Sequence, residues 1–332
     1  MKKIVVTGGA GYIGSHTLVE LYQNNYIPII VDNLCNSSIS NIKGAENICD
    51  QTFDFYNVDC TNETDLNAIF AKEQGIMGVI HFAAYKSVEE SVRKPQKYYH
   101  NNIGSLETLL KVMHKNQVNN LIFSSSCTVY GTPDTLPVSE EAPFKKAESP
   151  YGETKQKCEE ILKDSLLNSI SLRYFNPIGA HNSGLIGDCS SDKASNLIPI
   201  ITETAIGKRS QLTLFGNDYN TPDGTCIRDY IHVEDLANAH VKALDYIIQN
   251  PGKHAINIGT GIGISVLEAI KAFEKSTHKK VNFTIGPRRP GDVEQIYSDI
   301  TKSSQQLNWK AKKSLEDAMT SAWKWELQKN TL

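Results

Sequence analysis

The sequence has no paired-cysteine motif, no metal-ligand spacing and no long apolar run, and each absence excludes a class of protein. Its seven cysteines are an odd number without a C-x-x-C pair, which argues against a disulfide framework and a structural zinc site. The nine histidines show no H-E-x-x-H spacing, so no metal is expected. No apolar run reaches the length of a membrane span, and the first, residues 4–6, is too short for a signal peptide. We therefore expect a cytoplasmic protein without a membrane partner.

Charge of neither sign is in excess, since 34 lysines and arginines stand against 37 acidic residues, a net charge of −3. The short basic clusters at 279–280 and 310–313 contain no interleaved aromatic residues. A nucleic-acid partner is not expected, because binding to a phosphate backbone requires a concentrated positive field. A length of 332 residues, 40% of them hydrophobic, is typical of a globular chain of about two domains.

Short runs that are almost continuously apolar alternate with longer helical patterns through the first half of the chain. Such runs are typical of parallel strands that are buried on both faces. The predicted strands are 4–6, 27–31, 53–58, 78–82, 121–124 and 169–173, and the predicted helices are 14–25, 63–72, 95–116 and 151–168. This alternation predicts an α/β fold with a doubly wound (Rossmann) parallel sheet.

The pattern becomes less regular after about residue 176. Turn-forming residues cluster at 181–195 and 216–224, and the helical patterns that remain are 197–207, 233–249 and 266–276. We predict a Rossmann domain over residues 1–176 and a second, smaller mixed α/β domain over 177–332. The second domain is expected over the carboxyl edge of the sheet, where ligands bind in such folds. The prediction includes the option that part of its chain returns to the sheet.

A dinucleotide site is predicted where the first strand meets the first helix. Gly8, Gly11 and Gly14 have the spacing that allows a tight turn, close approach of the backbone to a pyrophosphate, and close packing of helix on strand. The free N–H groups of the helix would hold the phosphates. Asp32 ends the second strand, where a carboxylate accepts hydrogen bonds from ribose hydroxyls. Residues 33–37 contain no arginine or lysine for a 2′-phosphate, which favours NAD over NADP.

A catalytic constellation is predicted at the carboxyl end of the fifth strand. Tyr151 and Lys155 are four residues apart, so they share one face of a helix. An ammonium beside the phenol, together with a cationic nicotinamide, would favour the phenolate and make Tyr151 a general base. About one Tyr-x-x-x-Lys is expected by chance in this composition, so the weight of the motif lies in its position. It follows a serine run that ends a strand, and Ser126 is expected to meet Tyr151 over one substrate atom.

Together these residues resemble the extended short-chain dehydrogenase/reductase family, and within it the nucleotide-sugar epimerases. The matching segments are T-G-G-A-G-Y-I-G-S-H at 7–16, D-N-L-C-N-S at 32–37, H-F-A-A-Y-K at 81–86, S-S-S-C-T-V-Y-G at 124–131, S-P-Y-G-E-T-K at 149–155, R-Y-F-N-P-I-G-A at 173–180, F-G-N-D-Y-N-T-P-D-G-T-C-I-R-D-Y-I-H-V at 215–233 and R-R-P-G-D at 288–292. The resemblance covers nearly the whole chain. The glycine and Tyr/Lys motifs are shared by the superfamily, whereas the segment 215–233 is particular to the epimerases.

The resemblance implies two sets of ligand-binding residues. The residues implied to bind NAD are Gly8, Gly11, Tyr12, Ile13, Gly14, Asp32, Asn33, Asn36, Ser37, Asp59, Cys60, Phe82, Ala83, Ala84, Lys86, Asn101, Tyr151, Lys155 and Phe175. The residues implied to bind a UDP-sugar are Lys86, Ser126, Tyr151, Asn176, Asn196, Leu197, Leu214, Phe215, Arg228, Tyr230, Arg289, Asp292 and Ile296. Arginine suits a diphosphate because of its forked donors. Arg228 paired with Asp229 on the surface, or Arg288 in place of Arg289, remain alternatives.

The activity implied is the interconversion of UDP-glucose and UDP-galactose by transient oxidation at C4, with Ser126, Tyr151 and Lys155 as the catalytic residues. Binding energy would be concentrated on UDP, which leaves the hexose free to turn. The resemblance also implies a homodimer, paired through the helices near 95–116 and 151–168. Ile296 is expected to border the sugar pocket, where a stiff β-branched wall disfavours N-acetylated sugars. The alternative is that Ile296 is a core side chain behind the pocket.

Three other functions are weighed against this one. A nucleotide-sugar dehydratase or decarboxylase would need acidic residues after the catalytic hydroxyl, and the sequence has Cys127 and Thr128 there. An epimerase of UDP-uronates or of UDP-N-acetylhexosamines needs no additional acid and stays an alternative. A regulatory protein that senses NAD without turnover is disfavoured, because Ser126, Tyr151 and Lys155 are all retained.

Overall fold

The structure is a computed structural model that describes residues 2–189, 194, 196–289 and 291–329. Parts of two predicted features lie outside the described residues: the end of the turn-rich stretch 181–195, and Pro290 of the R-R-P-G-D run. No helix in the described part of the chain is long and apolar enough to cross a membrane.

A parallel sheet of seven strands forms the centre of the fold, in the order β3-β2-β1-β4-β5-β6-β11. Its strands are β1 (Lys2–Thr7), β2 (Tyr26–Val31), β3 (Asp54–Tyr56), β4 (Ile76–His81), β5 (Asn120–Ser126), β6 (Asn168–Tyr174) and β11 (Lys253–Ile258). The order reverses between β1 and β4, which is where a doubly wound sheet opens a crevice for a ligand. The predicted Rossmann sheet is confirmed.

Helices cover both faces of this sheet, as the continuous apolar character of its strands requires. Those of the first half are α1 (Tyr12–Gln23), α2 (Ile39–Cys49), α3 (Glu63–Lys72), α4 (Val88–Arg93), α5 (Pro95–Tyr98), α6 (Gly104–Lys115) and α7 (Pro150–Asp164). A π-helical turn, Tyr99–Ile103, joins α5 to α6, and a 3-10 turn, Cys127–Tyr130, follows β5. The predicted helix 95–116 is therefore three linked pieces. Helix α2 escaped prediction because its polar and glycine-containing sequence has a weak apolar period, although Ile42 and Ala45 are buried.

The described residues of the second half form small sheets and five helices. Its strands are β7 (Asn176–Ile178), β8 (Leu212–Phe215), β9 (Ile227–Arg228), β10 (Tyr230–His232), β12 (Ile264–Ser265), β13 (Phe283–Gly286) and β14 (Gln295–Ile296), and its helices are α8 (Leu197–Ala205), α9 (Val233–Gln249), α10 (Val266–Thr277), α11 (Thr301–Gln306) and α12 (Leu315–Gln328). Strand β9 lies between an antiparallel β12 and a parallel β14. Strands β7 and β10 pair in parallel, as do β8 and β13.

Two parts of the second half pack against the Rossmann sheet. Helix α9 contributes Leu236, Leu244 and Ile247 to the same buried cluster as Leu18 and Leu21 of α1. Strand β11 then extends the sheet beside β6. Helices α8, α10 and α12 enclose a separate core with the small strands, which we call the substrate lobe. The boundary at residue 176 stays a prediction, and the chain returns to the sheet at 253–258.

Candidate active site

The loop between β1 and α1 is shaped by glycines into a backbone cradle. Gly8 has a φ of +72°, and a Cβ there would lie 2.7 Å from the backbone nitrogen of Ala83. A Cβ on Gly14 would overlap the carbonyl oxygen of Gly8. Gly11 caps α1 with no side-chain hydrogen bond, so the first N–H groups of the helix are available to a ligand. This geometry fits a pyrophosphate held by backbone N–H groups at a helix N-terminus.

Asp32, at the end of the second strand, is turned back toward this loop. Its carboxylate accepts hydrogen bonds from the Ala10 N–H at 3.0 Å, the Leu34 N–H at 2.9 Å and the Ser37 hydroxyl at 2.7 Å. Asn33 donates to Asp59 at 2.9 Å, which joins the ends of β2 and β3. The result is an acidic, lysine-free floor that suits the two free hydroxyls of an adenosine ribose.

Several other predicted cofactor residues lie near the glycine loop. The Phe82 N–H donates to the Thr7 carbonyl at 2.9 Å, which places the chain after β4 beside the glycine loop. Lys86 lies 5.9 Å from the Tyr12 ring centroid and 3.8 Å from Asp188. The remaining members of this set lie in the first turn of α1, in the loop after β2, in the turn at 99–103 or shortly after β3, β4 and β6, namely Ile13, Asn36, Asn101, Cys60, Ala84 and Phe175. That these residues bind one cofactor stays a prediction.

The three predicted catalytic residues come together where β5 ends. Ser126 is the last residue of β5, and its hydroxyl accepts from the Thr128 N–H at 3.2 Å. Tyr151 lies in the first turn of α7, which Ser149 caps by accepting from the Gly152 N–H at 3.2 Å. The Ser126 hydroxyl lies close enough to Tyr151 to lower the pKa of its phenol. One turn later, the Lys155 Nζ lies 5.8 Å from the Tyr151 ring centroid and donates to the Ser124 carbonyl at 2.6 Å.

Burial controls the ionisation of this centre. Desolvation raises the pKa of Tyr151 above its ordinary value, and the nearby Ser126 hydroxyl only partly opposes this rise. Desolvation also lowers the pKa of Lys155 to about 8. In the chain by itself the phenol is therefore protonated, so the lysine alone does not produce the phenolate expected from the sequence. An additional cation beside the ring is required.

Two features of this centre were not found from the sequence. Asn102, in the π-helical turn, accepts from the Tyr85 N–H at 2.8 Å and donates to the Thr154 hydroxyl at 3.2 Å. It thereby fastens the loop after β4 to the catalytic helix. Tyr174, at the end of β6, is hydrogen-bonded to the Ser124 hydroxyl. An asparagine inside a helical pattern and a tyrosine ending a strand carry no sequence signal that separates them from ordinary core residues.

The substrate lobe faces this centre with polar groups at element ends. Asn176 is the first residue of β7, and its buried Oδ1 has no hydrogen-bond partner among the described residues. A buried amide oxygen in this state is suited to a ligand that supplies the missing donor. Asn196 is the N-cap residue of α8 but makes no side-chain cap bond, and Leu197 opens the helix. This helix N-terminus is a second position suited to phosphate.

A half-exposed aromatic ring and an arginine mark the far end of the lobe. Phe215 is 42% exposed, whereas Leu214 beside it is buried. The Arg289 guanidinium lies 5.6 Å from the Phe215 ring and bonds to Asp292 at 2.7 Å. Arg288 instead stacks on the Tyr219 ring at 4.1 Å and pairs with Asp218 at 2.8 Å. Both arginines pair with a carboxylate, but Arg289 lies beside the half-exposed Phe215 ring, which makes it the better placed of the two for a nucleotide ligand.

Arg228 and Tyr230 lie deeper in the lobe. The Arg228 guanidinium donates to the Ile227 carbonyl at 2.9 Å and lies 3.8 Å from Asp292. The proposed surface pair with Asp229 is wrong, because Asp229 is fully buried and bonds to Thr260, Gly261 and Ser298. Tyr230 is buried, and desolvation raises the pKa of its phenol.

Ile296 is 5% exposed and packs in a small cluster with Val129, Val138 and Phe175. It pairs in register with Arg228 on the neighbouring strand. Ile296 lies between Phe175, a predicted cofactor residue, and Arg228, a predicted substrate residue, which is compatible with a pocket wall. Its burial is compatible with a core side chain. Its role stays a prediction.

The fold and the site together define a class: a dinucleotide-dependent enzyme with a serine–tyrosine–lysine centre at the end of a Rossmann-sheet strand. A family model described as the NAD dependent epimerase/dehydratase family matches residues 4–259. The chain belongs to that family.

Relatives in this family match over almost their full length. A curated relative named UDP-glucose 4-epimerase from Dictyostelium discoideum is 50% identical over 330 residues, covering 98% of this chain and 95% of its own. A UDP-glucose 4-epimerase structure from Stenotrophomonas maltophila, with bound NAD and formylated UDP-arabinopyranose, has a TM-score of 0.97 at 42% identity and covers 100% and 99% of the two chains. The structure from Bifidobacterium longum, in complex with NAD+ and UDP, has a TM-score of 0.96 at 44% identity and covers 99% of each.

Proposed function

We propose that this enzyme is an isomerase that interconverts UDP-glucose and UDP-galactose with bound NAD. The observation that carries the proposal is the meeting of Ser126, Tyr151 and Lys155 where β5 ends. The second half of the chain adds the half-exposed ring of Phe215 and the buried Asn176 Oδ1, which has no partner among the described residues. Relatives of the same length that are named for this activity support it.

NAD fits the residues of the crevice. The glycine cradle has no room for a Cβ at Gly8 or Gly14, and Asp32 presents its carboxylate where ribose hydroxyls would bind. When bound, NAD supplies a hydride acceptor that takes hydrogen from C4 of the sugar and later returns it. Its oxidised ring is also the additional cation that the buried phenol of Tyr151 requires.

The residues of the chain hold and move the proton. Tyr151 Oη takes the proton from the 4-hydroxyl of the sugar while Ser126 holds the same oxygen. Lys155, anchored on the Ser124 carbonyl, keeps a positive charge beside the phenol. When the 4-keto sugar is reduced on its other face, Tyr151 gives the proton back. Atoms and electrons therefore balance over the cycle, and no external oxidant is consumed.

The substrate lobe holds the nucleotide rather than the reacting sugar. Phe215 presents an aromatic surface for uracil, and Arg228 and Arg289 present guanidinium groups for the diphosphate. The N-terminus of α8, with Asn196 and Leu197, adds backbone N–H groups. Binding energy placed on the unreactive UDP leaves the hexose free to present either face.

A dehydratase does not fit the site. Burial raises the pKa of Cys127 to about 12, and Thr128 does not ionise, so neither supplies the acid–base pair that loss of water needs. Epimerisation of N-acetylated UDP-hexoses or UDP-uronates is the second candidate. The bulk and stiffness of Ile296 favour the unmodified hexoses.

We extend the proposal to a cytoplasmic homodimer. Seven free cysteines suit a reducing compartment. Near the catalytic helix, Val92 of α4 is 61% exposed and Leu166, just after α7, is 87% exposed, which leaves apolar surface for a partner subunit. Light scattering on the purified protein tests the dimer, and a monomeric mass at micromolar concentration would contradict it.

The function is tested by incubating the purified protein with UDP-galactose and no added NAD. The expected product is UDP-glucose, and denatured protein should release about one NAD(H) per chain. Recovery of NADP, a protein that turns over only when NAD is added, or a dehydrated product would overturn the proposal.

A further inference from the structure

A buried ion pair lies directly behind the catalytic residues and is not used by the proposed reaction. Glu159 is one turn after Lys155 on α7, and Arg173 is on β6, in register with Ser125 of β5. The Arg173 Nη2 donates to Glu159 Oε2 at 2.7 Å and its Nε to Oε1 at 3.0 Å. The Ser125 hydroxyl donates to the same carboxylate at 2.5 Å. Both charged side chains are only 8% exposed.

This ion pair is better suited to positioning the groups that it joins than to stabilising the fold. A buried ion pair is seldom more stabilising than apolar side chains of the same volume, because both charges lose their hydration. Its forked geometry, in contrast, fixes the relative position of the groups that it joins. Here it joins three elements: the helix that carries Tyr151 and Lys155, the strand that ends in Ser126, and the strand next to it.

We infer that Glu159, Arg173 and Ser125 form a positioning clamp that holds Tyr151 and Lys155 in register with Ser126. The inference rests on the proposed function, since it assigns these three residues a role in the same proton transfer. None of them touches the expected ligands, so they are positioning residues. Ser125 is the key link, because its neighbours in sequence are Ser126, whose hydroxyl lies beside Tyr151, and Ser124, whose carbonyl anchors Lys155.

The clamp continues toward the substrate lobe. Arg173 Nη1 donates to the Tyr130 hydroxyl at 3.2 Å and to the Glu140 carbonyl at 3.1 Å. Tyr130 in turn donates to Asn257 at 2.6 Å, and its ring packs in the cluster that contains Ile296. The same arginine therefore connects the proton-transfer residues to one predicted wall of the sugar pocket.

The charge of Glu159 also acts on Lys155. Burial lowers the lysine pKa, and the carboxylate of Glu159 opposes that lowering. The other titratable groups near Lys155 are Tyr151 and Cys158 on its own helix and His81 on β4, whose pKa burial and the lysine lower to about 3. Loss of the Glu159 charge should therefore move the pKa of Lys155 further down.

The test compares Glu159→Gln with Glu160→Gln, an exposed neighbour on the same helix. We expect Glu159→Gln to lower kcat by about 10²-fold, the effect of misplacing a catalytic group by about 1 Å, with the Kd for UDP unchanged. The alkaline limb of the pH profile should move to lower pH, because the ammonium of Lys155 is lost earlier. A crystal structure should show a longer Tyr151 Oη to Ser126 Oγ separation. Glu160→Gln should match the wild type in all three.

Two further variants keep the test decisive. Ser125→Ala removes a single bond to the carboxylate and should lower kcat about 10-fold in a folded protein, even where Glu159→Gln does not fold. Glu326→Gln breaks another buried pair, with Lys208 at 2.8 Å in the substrate lobe, and should lower Tm without moving the pH limb. A Ser125→Ala protein with wild-type kcat, pH limb and Tyr151–Ser126 distance would overturn the clamp. A wild-type protein without epimerase activity would overturn the proposed function instead, and the crystallographic distance would still test the clamp.

Discussion

The cofactor crevice and the substrate lobe are built on opposite principles. The crevice is defined by backbone: one contiguous loop, in which Gly8 and Gly14 leave no room for a Cβ, and one carboxylate that bonds to that loop. The lobe is defined by side chains from separate segments, among them Asn176, Phe215 and Arg289. A site made of backbone tolerates almost no substitution, whereas single substitutions change the ligand specificity of a site made of side chains.

Tyr151 is where the two regions meet, and its loss should have the largest effect. Tyr151→Phe keeps the ring volume and removes the proton acceptor, so kcat should fall by about 10²–10⁴-fold. The Kd for UDP, measured by calorimetry, should stay within about twofold of the wild-type value. Turnover at the wild-type rate would show that another group moves the proton.

Gly8→Ala tests the backbone side of the comparison. Its Cβ would meet the Ala83 nitrogen at 2.7 Å, and the φ of +72° is unfavourable for alanine. Overpacking and backbone strain together cost about 2–4 kcal/mol, so we expect NAD affinity to fall roughly 30- to 900-fold. The measurement is the NAD released from purified protein on denaturation. Gly75→Ala is the matched control, since Gly75 has a φ of +79° with nothing within 4 Å of its Cβ. Equal NAD content in both variants would refute the cradle.

Arg289→Ala tests the side-chain region with a smaller effect. Loss of a charge-assisted hydrogen bond costs about 1.5–3 kcal/mol, so the KM for UDP-galactose should rise roughly 10- to 150-fold with little change in kcat. The control is Arg288→Ala, because Arg288 is held by Asp218 and Tyr219. A larger effect from the control would reverse the assignment of the two arginines.

Ile296→Gly tests whether a single side chain sets the sugar specificity, and its effect on kinetics is expected to be the smallest of the four variants. Relief of overpacking is worth about 1–3 kcal/mol, so kcat/KM for UDP-N-acetylglucosamine should rise roughly 5- to 150-fold. Activity on UDP-glucose should change little. If the two proteins use the N-acetylated sugar equally well, Ile296 is a core residue behind the pocket and does not set specificity.

The contrast between one contiguous loop and side chains from separate segments also decides what the sequence can predict. Helices α3 and α9 are predicted at 63–72 and 233–249, because acidic residues in the first turn mark the start of each. The glycine loop can also be predicted, since backbone geometry requires glycine at its positions. The order of the central strands follows from the handedness of βαβ units.

What the sequence could not predict depends on distant contacts. Nothing near Glu159 indicates that it meets Arg173 and Ser125, because strand pairing across the sheet brings them together. The return of the chain through β11 depends in the same way on tertiary pairing. The ionisation of Tyr151 was expected from Lys155 together with a cationic nicotinamide, whereas the burial that raises the pKa of the phenol is visible only in the fold.

The central claim is that the hydrogen removed from C4 returns to the same carbon through cofactor held in the enzyme. The most direct measurement uses UDP-galactose deuterated at C4, incubated with the purified protein in ordinary water without added NAD. The account predicts UDP-glucose that retains the deuterium at C4, because the label leaves and returns as hydride without exchange with solvent. UDP-glucose that has lost the label to water, or no UDP-glucose at all, would contradict it.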